Sequence, residues 1–331
     1  MYIYKAAVIG AGTMGAEIAQ VVTYSGLPVV LKDVSQDFVA KGMARIREIY
    51  KRRVDKGKMS ASDMEAKMTL VTGTTTYDDF KDVDIVIEAA PEKMDLKRKI
   101  FGDLDRACPE GTILASNTSS LSISEMGSAT RRAHKVIGLH FFFPASVMKL
   151  IEVIPGLATS EETVDDVTAF AESCRKIPVR VNECAGFLVN RLLMPYLNEA
   201  AYCLEEGSSS LRAIDQAAVE FGMPMGPFTL VDNLGLDICE EVVKVLLASY
   251  GDRMKPAALW SAFYEARLLG KKAGAGFYDY EKSENKAEKI VAELVKKCGR
   301  KDSQFSIERL DFPMINEAAY CVQENVAKAG D

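Results

Sequence analysis

The sequence predicts an α/β domain built on a mostly parallel sheet, followed by an all-α domain. Three observations carry this. Short apolar runs alternate with longer amphipathic ones in the first half, a glycine-rich turn follows the first run, and strand-like runs vanish after Cys184 in favour of long helical patterns. The 331 residues, 48% hydrophobic and 27% charged, suit two globular domains. Strands are expected at Ala6–Ile9, Val29–Lys32, Leu70–Thr72, Ile85–Glu88, Ile113–Ser116, Val136–Leu139, Ile151–Ile154 and Pro178–Val181. Alternation with helices implies βαβ units and ligands bound outside the carboxyl ends of the strands.

Composition narrows the function. Lys+Arg 41 against Asp+Glu 47, a net charge of −6, gives no bulk positive field for nucleic acid or an anionic membrane. No apolar run approaches the roughly 18 residues of a membrane span. The opening MYIYKAAVIG turns into the glycine loop before any signal-peptide pattern develops, so a cytoplasmic location is expected. Seven scattered cysteines without a C-x-x-C argue against both a disulfide framework and a zinc site; no metal is expected. Histidine is the informative count, because imidazole chemistry must use His134 or His140.

The domain plan reads 1–183, 184–280 and 281–331. In the second part Leu188, Leu192, Leu193, Tyr196, Leu197, Ala200 and Leu204 recur at helical spacing, with Pro195 expected to kink the helix or mark its first turn. R-L-L-M-P-Y-L-N-E-A-A-Y-C at Arg191–Cys203 returns as R-L-D-F-P-M-I-N-E-A-A-Y-C at Arg309–Cys321, nine of thirteen positions identical. Periodicity does not require the shared Arg, Pro, Asn and Glu, so the match reads as a duplication whose second copy is incomplete. Glu281 to Arg300, rich in Lys and Glu, reads as a helical or flexible connector. The second copy should present Ile315, Ala318, Ala319, Val322 and Val326 to the first.

Gly10-Ala11-Gly12-Thr13-Met14-Gly15 is a G-x-G-x-x-G between a strand and a helix expected at Ala16–Ser25. Gly10 permits the tight turn, Gly12 the approach of a pyrophosphate and Gly15 close helix–strand packing, while the helix N-terminus faces the phosphates. Asp33 closes the second strand 18 residues beyond Gly15, where a carboxylate bonds ribose hydroxyls and repels a 2′-phosphate. The first domain is thus Rossmann-type, with NAD favoured over NADP.

His140 ends the strand Val136-Ile137-Gly138-Leu139-His140, at the carboxyl edge, whereas His134 lies among charges and reads as a surface residue. Glu152 interrupts the apolar run Leu150–Ile154, and a carboxylate there needs a partner. An imidazole N–H suits it. The pair reads as a dehydrogenase base with its orienting acid, or as a buried hydrogen bond without catalysis.

With these motifs in hand, the chain resembles the L-3-hydroxyacyl-CoA dehydrogenase family, including the dehydrogenase part of multifunctional fatty-acid β-oxidation enzymes. The likeness runs from about Lys5 to Tyr280 through G-A-G-T-M-G, I-E-A-A-P-E-K, S-N-T-S-S-L-S-I, G-L-H-F-F, V-M-K-L-I-E-V, G-F-L-V-N-R, P-M-G-P-F and G-A-G-F-Y-D-Y. It implies oxidation of (S)-3-hydroxyacyl-CoA to 3-oxoacyl-CoA with NAD reduced. His140 would be the base paired with Glu152, and Ser119 and Asn190 would hold the substrate oxygen. Cofactor contacts are implied from Thr13, Met14, Asp33, Glu92, Lys97, Asn117, Ser119 and Lys272, besides the three glycines. A homodimer through the second domain is implied as well, and fusion to an enoyl-CoA hydratase domain as in some relatives.

Alone, S-N-T-S-S also reads as a helix cap, Asn190 as a polar helix start, and Glu92 and Lys97 as a solvated helix start. Arg45, Arg47, Lys51, Arg52, Arg53, Lys56 and Lys58 read as a solvated helix face or as partners for coenzyme A phosphates. One departure stands out. The family's H-F-F-N-P is His140-Phe141-Phe142-Phe143-Pro144 here, and Lys93 stands where Asn is common. Phe143 leaves two other readings open: a catalytically impaired NAD-binding scaffold, or a dehydrogenase of a different 3-hydroxy acid.

Overall fold

The computed structural model describes residues 2–281, 286–300 and 302–331. Its elements are β1 (Ala6–Ile9), α1 (Thr13–Tyr24), β2 (Val29–Lys32), α2 (Gln36–Asp55), α3 (Ala61–Met68), β3 (Val71–Thr74), β4 (Ile85–Glu88), α4 (Met94–Ala107), β5 (Ile113–Ser116), α5 (Ile123–Ser128), β6 (Val136–Phe141), β7 (Leu150–Pro155), α6 (Glu161–Ser173) and β8 (Ile177–Arg180). They are followed by α7 (Val189–Glu205), α8 (Leu211–Phe221), α9 (Pro227–Leu234), α10 (Leu236–Tyr250), α11 (Ala258–Glu265), α12 (Lys286–Cys298) and α13 (Ile307–Gln323). Two compact units emerge, one of residues up to Cys184 with Ala327–Asp331, the other Ala185–Val326.

The first unit is an eight-stranded sheet in the order β3-β2-β1-β4-β5-β6-β7-β8. Every pairing is parallel except β6 with β7. The central strands AAVI, VVLK, IVIE and ILAS are buried throughout, as strands covered on both faces require. Helix α1 begins at Thr13, three residues earlier than expected, because Gly12 itself is its N-cap. The glycines divide their work as the motif predicts. Gly10 has φ +95°, and a Cβ on Gly15 would lie 1.7 Å from the Gly10 carbonyl oxygen; a Cβ on Gly12 would meet nothing within 4 Å. The strand expected at Pro178–Val181 runs one residue earlier, and that expected at Leu70–Thr72 runs Val71–Thr74.

In the second unit Pro195 neither starts nor ends a helix but lies inside α7, and its counterpart Pro313 lies inside α13. Within the expected connector, residues 282–285 lie outside the described residues, while α12 is helical from Lys286 and its Ala287 and Leu294 are buried. The half-repeat α13 packs on α7 within the same chain through a reciprocal set of ion pairs. Arg191 Nε lies 2.5 Å from Glu317 and its Nη2 2.6 Å from Glu324. Arg309 Nε lies 2.6 Å from Glu199 and its Nη2 2.8 Å from Glu206. In each copy the arginine reaches the glutamates that stand 8 and 15 residues beyond the other copy's arginine. This register corrects the face expected of α13: Leu310, Glu317, Cys321 and, just beyond the helix, Val326 are buried, whereas Ile315 and Val322 are exposed. The charges pull Glu317 inward and turn those apolar residues outward.

Candidate active site

The carboxyl edge of the first unit's sheet gathers most of the predicted residues. Antiparallel pairing of β6 with β7 sets His140 directly opposite Glu152. His140 Nδ1 lies 2.6 Å from Glu152 Oε2, with the glutamate 1% and the histidine 7% exposed. A carboxylate this buried holds Nδ1 as the proton-bearing nitrogen and leaves proton exchange to Nε2. The Phe142 ring packs on the imidazole at 4.6 Å between centroids, and the backbone N–H of Phe141 donates to Asn117 Oδ1 at 2.8 Å. Asn117 therefore ties the loop after β5 to the strand that carries the histidine. His134 is exposed, as expected.

That loop is organised by Glu92, whose Oε1 accepts from Thr118 Oγ1 at 2.5 Å, from the N–H of Ser119 at 2.9 Å and from the N–H of Ser120 at 3.2 Å. The Ser119 hydroxyl also reaches it, at 3.3 Å. Burial alone would raise the Glu92 carboxyl, but Lys97 and these donors outweigh it and hold it below the ordinary glutamate range. Lys97 does not lie on a solvated helix start. Its side chain is 1% exposed, and its ammonium lies 2.8 Å from Glu88 and 3.3 Å from Glu92.

Glu88 was not singled out by sequence reasoning. It is fully buried at the end of β4 and accepts from the Ala90 N–H (2.6 Å), from Lys97 on both oxygens (2.8 and 2.9 Å) and from the Ser116 hydroxyl (2.6 Å). The signal was there, because a carboxylate ending the apolar run Ile85-Val86-Ile87 poses the same need for a partner as Glu152.

At the glycine loop, Asp33 Oδ2 accepts from the Ala11 N–H and Oδ1 from the Val34 N–H, both at 2.6 Å. A carboxylate has about four lone-pair sites, so ribose hydroxyls still find acceptors here. Gly10, Gly12, Thr13, Met14 and Gly15 form the turn and first helical turn beside it. The exposed position of Gly12 and the open space over it fit a pyrophosphate backed by the N-terminus of α1.

Two predicted residues belong to the second unit. Asn190 is the second residue of α7 and half-buried. Lys272 is exposed and forms an ion pair with Asp237 at 2.6 Å. The motifs P-M-G-P-F and G-A-G-F-Y-D-Y prove to be held by two buried aspartates. Asp215 accepts from the Phe228 N–H and the Tyr278 hydroxyl, each at 2.8 Å. Asp232 accepts from the N–H groups of Phe277 and Tyr278 at 2.8 and 2.9 Å, and burial pushes its carboxyl up despite these donors.

Of the basic stretch on α2 and just beyond its end, Arg47 pairs with Glu65, Lys51 with Asp55 and Arg52 with Glu48, and Arg53 stacks on Tyr24 at 4.3 Å. Arg45, Lys56 and Lys58 are exposed and, among the described residues, form no ion pair. None of the seven cysteines is in a disulfide, and no group of His, Cys, Asp and Glu among the described residues could hold a metal. No described helix is long and apolar enough to cross a membrane. The Phe143 side chain is 51% exposed, next to Val147 (70%) and Met148 (42%) in the sequence.

The 3-hydroxyacyl-CoA dehydrogenase NAD-binding domain matches residues 5–184 and the family's C-terminal domain residues 186–280. The chain is 45% identical over 284 residues to a probable 3-hydroxybutyryl-CoA dehydrogenase of Bacillus subtilis, covering 85% of this chain and 99% of that protein. It is 39% identical over 328 residues to the fatty acid oxidation complex subunit alpha of Shewanella baltica, of which it spans 46%. The crystal structure of (S)-3-hydroxybutyryl-CoA dehydrogenase from Ralstonia eutropha superposes with a TM-score of 0.82 at 42% identity, covering 85% of this chain and all of that one. With the glycine loop, the His140–Glu152 pair and both domain models in agreement, the chain belongs to the 3-hydroxyacyl-CoA dehydrogenase family.

Proposed function

We propose that this chain oxidises (S)-3-hydroxyacyl-CoA thioesters to 3-oxoacyl-CoA, with short acyl groups such as 3-hydroxybutyryl among its substrates. The observation that carries this is the His140–Glu152 pair, because a buried carboxylate on Nδ1 makes Nε2 a base that can take the hydroxyl proton and stabilises the imidazolium that forms. NAD, when bound, accepts the hydride. The turn at Gly10–Gly15 and the N-terminus of α1 hold its phosphates, Asp33 its ribose, and Glu92 shapes the loop that carries Ser119. Ser119 and Asn190 are assigned to the substrate oxygen, and Lys272 to the cofactor, on the family pattern. Arg45, Lys56 and Lys58, the members of the basic stretch without ion pairs, are assigned to the coenzyme A phosphates.

We assign a cytoplasmic location, which seven cysteines outside any disulfide support. Supply of the hydroxyacyl thioester by an enoyl-CoA hydratase, fused or separate, fits the chemistry. The homodimer is assigned to the outer face of α13, where Phe312, Ile315 and Val322 are exposed; sedimentation as a single 36.3 kDa species would overturn it.

The experiment is NADH formation, followed by absorbance, over a panel of (S)-3-hydroxyacyl-CoA substrates. Turnover with at least one member is expected. NAD binding without turnover across the panel would replace this reading with the scaffold one, for which Phe143 is the single supporting feature.

A further inference from the structure

A second buried charge cluster lies at the same sheet edge, and the base does not use it. Glu88, Lys97 and Glu92 form a chain of ion pairs running from the end of β4 to the loop that carries Ser119. Two carboxylates face one ammonium, so the cluster keeps one negative charge uncompensated. Glu88 and Lys97 are sealed, while Glu92 is 26% exposed at the outer end. Among the described residues, the ion pairs of Lys97 go only to these two carboxylates. The excess charge therefore sits toward the open edge.

Strand order tells which part of a dinucleotide meets that charge. The pyrophosphate belongs at the glycine turn after β1, and Asp33 after β2 takes the adenosine ribose. β2 and β4 flank β1 on opposite sides, so the nicotinamide half must extend over β4 and β5, where Glu88 and Ser116 end their strands. The nicotinamide ring is cationic in NAD⁺ and neutral in NADH.

Resting on the NAD dependence of the family, we propose that Glu88 is a positioning residue that holds Lys97 and Glu92 as a unit of net charge −1, and that this unit strengthens the oxidised cofactor's binding relative to that of the reduced one. Lys97 alone opposite Glu92 would be neutral and would not distinguish the two forms. Glu88 supplies the second carboxylate from a place where it touches neither cofactor nor substrate.

The test is the ratio of dissociation constants for NAD⁺ and NADH, measured by titration calorimetry on the whole chain without substrate. Glu88→Gln should weaken NAD⁺ relative to NADH by about tenfold, the order expected of one unit charge roughly 10 Å away in a partly buried site. Glu88→Asp keeps the charge and should keep the ratio, even if both constants weaken. Should Glu88→Gln fail to fold, Glu92→Gln removes the same charge from the exposed end and should raise the ratio of the NAD⁺ to the NADH dissociation constant likewise. An unchanged ratio in the folded variant, including equal weakening of both constants, would show that Glu88 is only structural and overturn the proposal. Because the readout is binding, a chain that binds NAD without oxidising any acyl-CoA defeats the functional reading and leaves this one standing.

Discussion

The sheet edge of the first unit and the α7–α13 seam of the second both bury charged side chains, and they use them differently. At the seam each arginine faces two carboxylates from the opposite copy of one repeat, and the arrangement returns on itself. At the sheet edge the pairs are open-ended: Glu152 holds Nδ1 of His140, and the Glu88–Lys97–Glu92 chain ends in a part-exposed carboxylate. A closed set of buried charges specifies register, here which face of α13 meets α7. An open set leaves one group with chemistry still to do. Breaking a member should accordingly cost activity at the edge and stability at the seam.

The largest effect is expected at His140. His140→Ala should lower kcat by about 10² to 10⁴, the usual worth of a positioned acid–base group, while NAD affinity stays close to that of the unmodified protein. A large loss of stability instead would mean that the pair acts as a structural hydrogen bond, like those at the seam.

The converse holds for Arg191, which is fully buried between Glu317, Glu324 and the Tyr250 ring. Burial alone would pull its guanidinium down, but the two glutamates outweigh this and hold it above the ordinary arginine value. Among the described residues, Arg191→Met leaves buried Glu317 with only the longer 3.6 Å contact to Arg253, and should cost about 3–5 kcal/mol in denaturant unfolding. The reciprocal Arg309→Met should cost less, since Arg309 is 26% exposed. Equal losses would mean that the two copies bury their charges equally well.

Acid provides a milder probe of the same seam. Burial would raise Glu206, but Arg309 and the Ser303 hydroxyl outweigh it, and Glu324 is likewise held low against burial by Arg191 and Arg253. Carboxyls depressed in the folded state contribute stability that is present above their unfolded value of 4.5 and lost as pH falls through the lower folded values. Protection of α13 amides against hydrogen exchange should therefore fall below about pH 4.5, ahead of protection in β1 and β4. In Arg309→Met that acid-dependent part should shrink.

How much of this was legible in the sequence depends on whether a residue's partner is local. The glycine loop, Asp33 and the strand that delivers His140 are read from neighbours in the chain, so their placement follows from periodicity and spacing. Glu152 was found because an isolated carboxylate in an apolar run demands a partner and histidines are scarce. Glu88 raises the same demand, yet its partners Lys97 and Ser116 are common residue types with no scarcity to single them out. The outward turn of Ile315 and Val322 was hidden for a related reason. Apolar periodicity weighs only hydrophobic burial, whereas the four-carboxylate match across the repeat sets the rotation of α13 and appears only once the two copies lie side by side.

The smallest expected effect tests whether the open end of the sheet edge extends into substrate choice. Phe143 follows His140 by three residues, where the family carries Asn, and its ring is half-exposed while Phe142 packs on the imidazole. The turn that carries it is firmly held: the N–H groups of Val147 and Met148 both donate to the Pro144 carbonyl at 2.9 Å, and Ser146 donates to Glu17 on α1 at 3.0 Å. A held turn that exposes Phe143, Val147 and Met148 offers apolar contact rather than a hydrogen bond. Phe143→Asn should then lower kcat/KM for bulky or apolar acyl groups by a few-fold, roughly the worth of a partial apolar contact, with little change for 3-hydroxybutyryl-CoA. The comparison across acyl groups matters more than any single rate, because general damage near His140 would depress all substrates together. A rise in kcat/KM for every substrate would show that Phe143 is a defect in an otherwise standard site, and that the apolar turn has no part in recognition.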